Sequence, residues 1–280
     1  MIATMQASNE SIATLEIPEV LEVQRRRRSW SWITKATLPV IILVGWTALA
    51  KSSLVPPLTM PTPWGTVLEL KVMWEKQDLA MNIGVSLTRA LVGLIIGAAF
   101  GFVIGLFAGL SKIGEELFDA TLQAFRAIPF IALIPLFILW FGIGETPKIL
   151  VVALASYFPM YINTAGGVRN VDRKVVEAAK TFGVKRFALL RKVVLPLALP
   201  QILTGLSLSM VISILALVAG EQISSQNGIG YLLTQSQAYQ RNYEVFACVV
   251  IYALMGLAAA AIVKVLERFF LKWREGVAVR

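Results

Sequence analysis

The segment whose residues are most informative about function is basic and runs from Val168 to Pro196. Asp172 is a residue type that caps the start of a helix, and Gly183 is a type that ends one. The short helix predicted between them carries an apolar stripe at helical spacing. Such a helix is marginal in water on its own, so the pattern predicts that it docks on a protein partner or a headgroup layer. The stripe consists of Val175, Val176, Ala179 and Phe182.

Composition disfavours catalysis by this chain. The sequence has no histidine and one cysteine, Cys248, so it can build neither a Ser-His-Asp triad, nor a Cys/His zinc site, nor an internal disulfide. It also has no G-x-x-x-x-G-K-[ST] phosphate loop, so we expect no ATP binding or hydrolysis here. The apolar runs show no paired carboxylates either, and an intramembrane enzyme is therefore a poor interpretation.

A few polar side chains in or beside the apolar runs are candidates for a translocation path, because such residues are rare and often functional in membranes. They are Arg89, Arg126, Tyr157, Asn163, Ser209 and Glu221. A guanidinium such as that of Arg126 matches the geometry of an oxyanion. The same arginine could instead snorkel to headgroups or pair with nearby acidic residues. The uncharged candidates could equally form hydrogen bonds between helices.

Apolar runs separated by short charged segments must position these residues. Of the 280 residues, 57% are hydrophobic and 15% charged, unlike soluble domains, of which about a quarter is charged. Each run can supply the ~20 residues that cross a bilayer. The sequence therefore predicts an all-α membrane protein with about six transmembrane helices. The predicted spans are roughly 33–50, 84–110, 120–142, 148–167, 198–219 and 244–268.

Charge distribution predicts the orientation and the domain boundaries. With both termini cytoplasmic, 20 of the 26 lysines and arginines lie inside, in agreement with the positive-inside rule. The six outside are Lys51, Lys71, Lys76, Arg89, Lys148 and Arg241. The predicted domains are a cytoplasmic tail (1–32), a first transmembrane helix with an outer loop (33–79), a core membrane domain (80–270) with its basic loop at 169–196, and a cytoplasmic C-terminal tail (271–280).

Small and kinking residues mark two of the predicted spans. The second span has glycines four residues apart, which share a helix face and allow close backbone approach in lipid. This surface could slide during transport or simply pack. These glycines are Gly93, Gly97, Gly101, Gly105 and Gly109. The third span contains Pro129 and Pro135, each expected to kink the helix.

The basic loop carries a motif of fixed spacing. Glu177-Ala178-Ala179 is followed by Gly183, by Val193 and then by Leu195-Pro196. This arrangement resembles the EAA loop of permease subunits of bacterial ABC importers, although that family prefers isoleucine where this chain has Val193. The resemblance covers about residues 80 to 275. Within the class, the chain most resembles permeases for aliphatic sulfonates, taurine, nitrate and bicarbonate. The segments Ala132–Ile143 and Gly228–Tyr231 especially resemble the sulfonate permeases.

The resemblance implies a type I ABC importer permease fold in the bacterial inner membrane, with a cytoplasmic coupling helix. Contacts with a separate ATPase subunit, which uses ATP and Mg, would come from Glu177, Ala178, Ala179, Gly183, Leu195 and Pro196. It also implies an extracytoplasmic substrate-binding protein and a second permease copy. The function that it implies is uptake of alkanesulfonates or taurine for sulfur metabolism. A nitrate, bicarbonate or vitamin-precursor importer stays open, as does an ion-coupled secondary transporter, although no internal inverted repeat is evident.

Overall fold

A computed structural model describes residues 37–52, 56 and 59–271 of the chain. The predicted tail at 1–32 lies outside the described residues, as does 272–280. Apart from its turns and short connections, the described part of the chain is helical and has no strand. The prediction of an all-α fold is therefore confirmed.

The chain divides into two compact units, Met1–Trp64 and Gly65–Arg280. In the described part of the first unit, α1 is an apolar helix at Thr37–Lys51. The indole of Trp46 donates a hydrogen bond to the carbonyl oxygen of Pro61 at 2.9 Å. This bond ties α1 to the proline-rich segment that follows it.

Further helices follow along the chain. They are α2 (Pro63–Lys76), α3 (Leu79–Leu110), α4 (Lys112–Arg126), α5 (Ile134–Phe141), α6 (Glu145–Arg169), α7 (Arg173–Thr181), α8 (Arg186–Leu189), α9 (Leu195–Ser224), α10 (Ile229–Ala238) and α11 (Asn242–Phe270).

Four helices of the described chain are long and apolar enough to cross a membrane. They are α3, α6, the continuous helix Arg186–Ile223 and α11. Two of the six predicted spans correspond to shorter apolar helices, Thr37–Lys51 and Phe130–Phe141. The membrane fold predicted from the apolar runs thus holds, with helices of unequal length.

The third predicted span, 120–142, is not one kinked helix, and that prediction was wrong. Helix α4 ends at Arg126, a 3₁₀ turn covers Phe130–Leu133, and α5 starts at Ile134. Pro129 lacks an N–H and disfavours helical backbone at Ile128, which stops the helix. Pro135 lies in the first turn of α5, where a missing N–H costs nothing. The prolines therefore separate two helices.

The glycines of α3 lie against α6. A Cβ atom at Gly101 would stand 2.5 Å from the carbonyl oxygen of Tyr157, and one at Gly105 would stand 2.7 Å from that of Tyr161. Real Cβ atoms are not found at such distances, so only glycine allows this approach of the two backbones. Gly93, Gly97 and Gly109 meet α6 in the same way. These contacts run from Gly93 to Gly109 on α3 and from Ile149 to Val168 on α6.

Two buried apolar clusters surround this interface. One is centred on Val151, Val152 and Leu217 and reaches α10 through Ile229. The other contains Met160, Ala198 and Val263, near the opposite ends of the same long helices. Helices α6 and α9 contribute to both clusters, and they are also the helices that flank the predicted coupling segment. Packing thus connects this segment to most of the second unit.

Candidate functional site

The start of the predicted coupling helix is fixed by an N-cap. Helix α7 begins at Arg173, and a carboxylate oxygen of Asp172 accepts a hydrogen bond from the backbone N–H of Lys174 at 2.8 Å. This bond satisfies one of the donors that every helix leaves free at its first turn. The predicted cap at Asp172 is confirmed.

The end of α7 depends on the backbone of Gly183. This residue has φ of +78°, in the left-handed region, and a Cβ built on it would meet nothing within 4 Å. Glycine is therefore required by backbone conformation and not by lack of space. The N–H of Val184 donates to the carbonyl oxygen of Ala179 at 3.1 Å, which closes the turn. The predicted helix stop at Gly183 is confirmed.

The predicted apolar stripe of α7 is partly buried and partly exposed. Val176 and Ala179 are half-buried, whereas Val175 is exposed and Phe182 is 88% exposed. Glu177 and Ala178 of the EAA motif are also exposed. A phenyl ring so fully open, next to small alanines that permit close approach, is typical of a surface that another protein covers.

The basic loop predicted at 169–196 does not extend to Pro196. A helix starts at Arg186 and continues to Ile223 through one π-helical turn at Leu190–Val194. In that turn the N–H of Leu195 donates to the carbonyl oxygen of Leu190, five residues back. Pro196 follows in the first turn of α9, where its missing N–H breaks no α-helical bond. Leu195 and Pro196 thus lie inside a membrane-length helix.

A second polar site surrounds Arg89, whose side chain is only 3% exposed. Its guanidinium donates to both carboxylate oxygens of Glu145, at 2.5 and 2.7 Å, and to Glu221 at 2.6 Å. It also donates to the carbonyl oxygen of Asn227 at 2.7 Å. Lys148 contributes a further bond to Glu145 at 3.1 Å. We call these residues, with the partners described next, the Arg89 network.

Glu221 connects the network to the turn before α10. Its fully buried carboxylate accepts hydrogen bonds from Ser86 at 2.7 and 2.9 Å, from Gly230 N–H at 2.9 Å and from the Tyr252 hydroxyl at 3.2 Å. The N–H of Ile229 donates to the Ser86 hydroxyl at 2.9 Å. The charge is therefore buried with its bonding capacity filled, which is the condition under which buried ions are tolerated.

The turn itself depends on glycine. Gly228 has φ of +108°, and its N–H donates to the Asn82 side chain at 2.7 Å. A Cβ at Gly228 would also lie 2.6 Å from the Arg89 guanidinium. Conformation and space therefore both exclude a side chain at Gly228.

The remaining path candidates make internal contacts. The Ser209 hydroxyl is buried and donates to Ser156 O at 2.7 Å, and the Asn163 amide donates to Pro159 O at 2.8 Å. The half-buried ring of Tyr157 stacks on Tyr161 at 6.0 Å between centroids. The side chain of Arg126 lies outside the described residues. A translocation role for these residues stays a prediction.

Some members of the Arg89 network were missed by sequence reasoning. They are Asn82, Ser86, Glu145, Lys148 and Tyr252. A signal existed on α3, where Asn82, Ser86 and Arg89 recur at spacings of four and three and so share one helix face. The carboxylates could not be paired from sequence, because Glu145 and Glu221 stand far apart along the chain. The expectation of no paired carboxylates in the apolar runs did not foresee that Glu145 and Glu221 would both bind the guanidinium of Arg89.

The described chain combines long apolar helices, a capped helix exposed between two of them, and a buried ionic network without a reactive centre. Together these features define a membrane transport subunit. The chain belongs to the family of binding-protein-dependent transport system inner membrane components, whose model matches residues 101–272. It is thus the permease subunit of an ABC importer, a multi-pass protein of the inner membrane, as the EAA motif predicted.

Relatives match nearly the whole chain. A candidate aliphatic sulfonates transport permease protein, SsuC of Bacillus subtilis, is 38% identical over 256 residues, 91% of this chain and 93% of its own. The taurine transport system permease protein TauC of Escherichia coli is 31% identical over 264 residues, 90% of this chain and 96% of its own. These alignments extend well before residue 101.

A solved structure has the same fold. A chain from the crystal structure of an amino acid ABC transporter with histidines aligns with a TM-score of 0.57 and 19% sequence identity. The alignment covers 71% of this chain and 97% of the other. The fold predicted for an importer permease is thereby confirmed.

Proposed function

We propose that this permease subunit moves small organic sulfonates, such as alkanesulfonates or taurine, into the cytoplasm. The observation that carries the proposal is the 38% identity to SsuC over 91% of the chain, together with 31% identity to TauC over 90%. Transporters named for sulfonates of different size align over almost the same length. The shared feature of their cargo is a compact, singly charged oxyanion.

The proposed partner at α7 is a cytoplasmic ATPase subunit. That partner would contact the exposed Phe182 ring, the small side chains of Ala178 and Ala179 and the turn at Gly183. The chain itself is proposed to bind no cofactor, with ATP and Mg used by that subunit. An extracytoplasmic binding protein would deliver the sulfonate, and both termini would lie in the cytoplasm.

The connections of α7 explain how its movement would reach the membrane. Only three residues separate α7 from the end of α6 at Arg169, and a short turn joins it to the helix that begins at Arg186. Helix α6 is in turn fitted against the glycines of α3. A displacement of α7 on ATP binding would therefore be passed to three long helices. Two copies of this subunit would alternate between outward-facing and inward-facing states, each favoured by a different nucleotide state.

Co-purification tests the ATPase partner. The tagged chain, coexpressed with its candidate ATPase subunit, is isolated in mild detergent and compared with the double variant Glu177→Ala and Gly183→Arg. We expect the ATPase subunit to be retained by the wild type and lost from the variant. Phe100→Ala is a matched control, because Phe100 is an exposed ring on the spanning helix α3. Retention by the double variant would contradict docking at α7.

Uptake tests the substrate. Proteoliposomes containing the assembled importer and its binding protein are supplied with labelled taurine and external competitors. We expect alkanesulfonates to compete and nitrate, bicarbonate and a pyrimidine vitamin precursor to have no effect. Competition by one of these other compounds, with none by sulfonates, would reassign the substrate. Uptake driven by an ion gradient without ATP would overturn the importer mechanism itself.

A further inference from the structure

A cavity of about 1070 Å³ lies beneath α7, where several long helices end. Its walls come from the last turns of α3 and α6, from α7 and from the helix that begins at Arg186. Val168, Leu189 and Val194 in its wall are buried residues. The cavity is therefore an open recess with a buried floor. Its volume slightly exceeds the usual range of ligand-binding pockets, about 300–1,000 Å³.

Positive charge surrounds the recess in excess. Five basic residues line it, against the two carboxylates Glu115 and Glu177. Glu115 is already paired with Arg169 at 3.3 Å. Within the described chain, the other four basic side chains have neither an ion-pair nor a hydrogen-bond partner. These four are Lys112, Arg173, Lys180 and Arg186.

Apolar side chains form most of the rest of the lining. Among them, Leu110 ends α3 and Leu190 lies in the π-helical turn before α9. Long basic side chains at such helix ends keep their charged groups near the headgroup level. The combination of free cations and an apolar wall matches an amphiphilic anion better than a small soluble one.

We propose that this recess binds the phosphate headgroup of an anionic phospholipid, with the first acyl carbons against its apolar wall. Basic pockets between the ends of spanning helices are a recurrent form of headgroup site. The recess shares Glu177 with the proposed ATPase-docking surface, whereas Phe182, the most exposed ring of the α7 segment, does not line it. A bound lipid would stabilise the position of α7 relative to the bundle from the membrane side. The site is independent of the sulfonate assignment.

Two matched triple variants test the site. The cavity variant is Lys112→Gln, Arg173→Gln and Arg186→Gln, and the control is Lys174→Gln, Lys185→Gln and Arg191→Gln. Both remove three positive charges from exposed residues of the same region, but the control residues do not line the recess. The purified full-length chain is titrated with phosphatidylglycerol or with phosphatidylcholine of the same acyl chains, and bound lipid is counted by native mass spectrometry.

We expect the cavity variant to bind phosphatidylglycerol about tenfold more weakly than the wild type, and the control to stay within about twofold. Phosphatidylcholine binding should be weak and equal in all three proteins. Equal weakening in both variants would overturn the proposal, because it would indicate general charge attraction. Displacement of the lipid by millimolar inorganic phosphate would also overturn it, in favour of a soluble anion.

The same proteins separate a lipid site from a protein interface. If the cavity variant loses the ATPase subunit but keeps phosphatidylglycerol, the recess belongs to the protein interface and the lipid proposal fails. If the triple variant does not purify as a monodisperse protein, Arg173→Gln and its neighbour Lys174→Gln replace it. A selective loss of phosphatidylglycerol in Arg173→Gln alone would support the site, and equal binding by the two would overturn it.

Discussion

The Arg89 guanidinium uses four of its five N–H donors. Their acceptors are two carboxylates and a backbone carbonyl, which belong to α6, α9 and the turn before α10. A buried pair of this kind contributes little net stability over an apolar substitute, but removal of one partner leaves an uncompensated charge. Arg89 is thus a structural residue in this conformation, joining four parts of the second unit.

Arg89→Gln should destabilise the subunit strongly, by about 3–5 kcal/mol, because Glu221 would stay buried without its cation. Unfolding in detergent, followed by tryptophan fluorescence, measures the change. Lys71→Gln is the control, since Lys71 pairs with Glu75 at 3.9 Å on the surface and should cost about 0–1 kcal/mol.

A double variant gives the sharper comparison. Arg89→Gln combined with Glu221→Gln should cost less than the sum of the single changes, because both charges of the pair are removed together. Strict additivity, or a loss no larger than that of Lys71→Gln, would show that the pair does not stabilise the fold.

Gly183 provides a test of backbone conformation at the end of α7. Gly183→Ala should cost about 1–2 kcal/mol in the native turn, whereas Gly183→Asn should cost less, because asparagine tolerates the left-handed region. The readout is substrate-stimulated ATPase activity of the assembled importer. We expect this activity to decrease from glycine to asparagine to alanine at position 183. Gly256→Ala, in α11 with open space around it, should have no effect. Equal activity of Gly183→Ala and the wild type would remove the turn from the coupling mechanism.

Local signals made some residues predictable and others not. Asp172 and Gly183 act on their own neighbours, so capping rules place them correctly from sequence. The Arg89 network joins residues more than a hundred positions apart, such as Ser86 and Glu221, and no spacing rule reaches that far. The polar stripe on α3 could have shown that Arg89 faces the protein interior, but not which carboxylates it meets.

At the scale of elements, the α3–α6 interface is the best defined contact between long helices. The four-residue spacing of the glycines predicted a close approach, and sequence could not identify the partner helix. The break between α4 and α5 was misjudged because the region is continuously apolar near Pro129 and Pro135. Hydropathy indicates whether a segment is apolar enough to cross a membrane, whereas the proline positions determine where its backbone can stay helical.

Gly105→Ala should destabilise the subunit by about 1–3 kcal/mol through overpacking against α6. Gly84→Ala on the same helix is the matched control, since a Cβ there meets nothing within 4 Å. That change should be neutral or slightly stabilising, because alanine favours a helix over glycine by about 1 kcal/mol. Detergent unfolding of both proteins checks the difference, and equal stability would mean that the two helices are not held at this distance.

At the scale of the whole molecule, two buried charges have to be left out of the count of lysines and arginines that predicts the orientation. Arg89 and Lys148 were assigned to outer loops, but both are buried in the network and carry no information about loop charge. Their removal from the count leaves the basic excess on the side of α7 more pronounced. Both termini are therefore still expected in the cytoplasm.

Single cysteines can test that orientation directly. Cys248 is fully buried, so replacing it with alanine gives a background free of thiols at little structural cost. Lys174→Cys on α7 and Gln237→Cys near the end of α10 then place one exposed thiol on each proposed side. In intact cells a membrane-impermeant maleimide should label Gln237→Cys and not Lys174→Cys, and in inverted vesicles the pattern should reverse. Labelling of Lys174→Cys in intact cells would place α7 outside, where no cytoplasmic ATPase subunit could reach it.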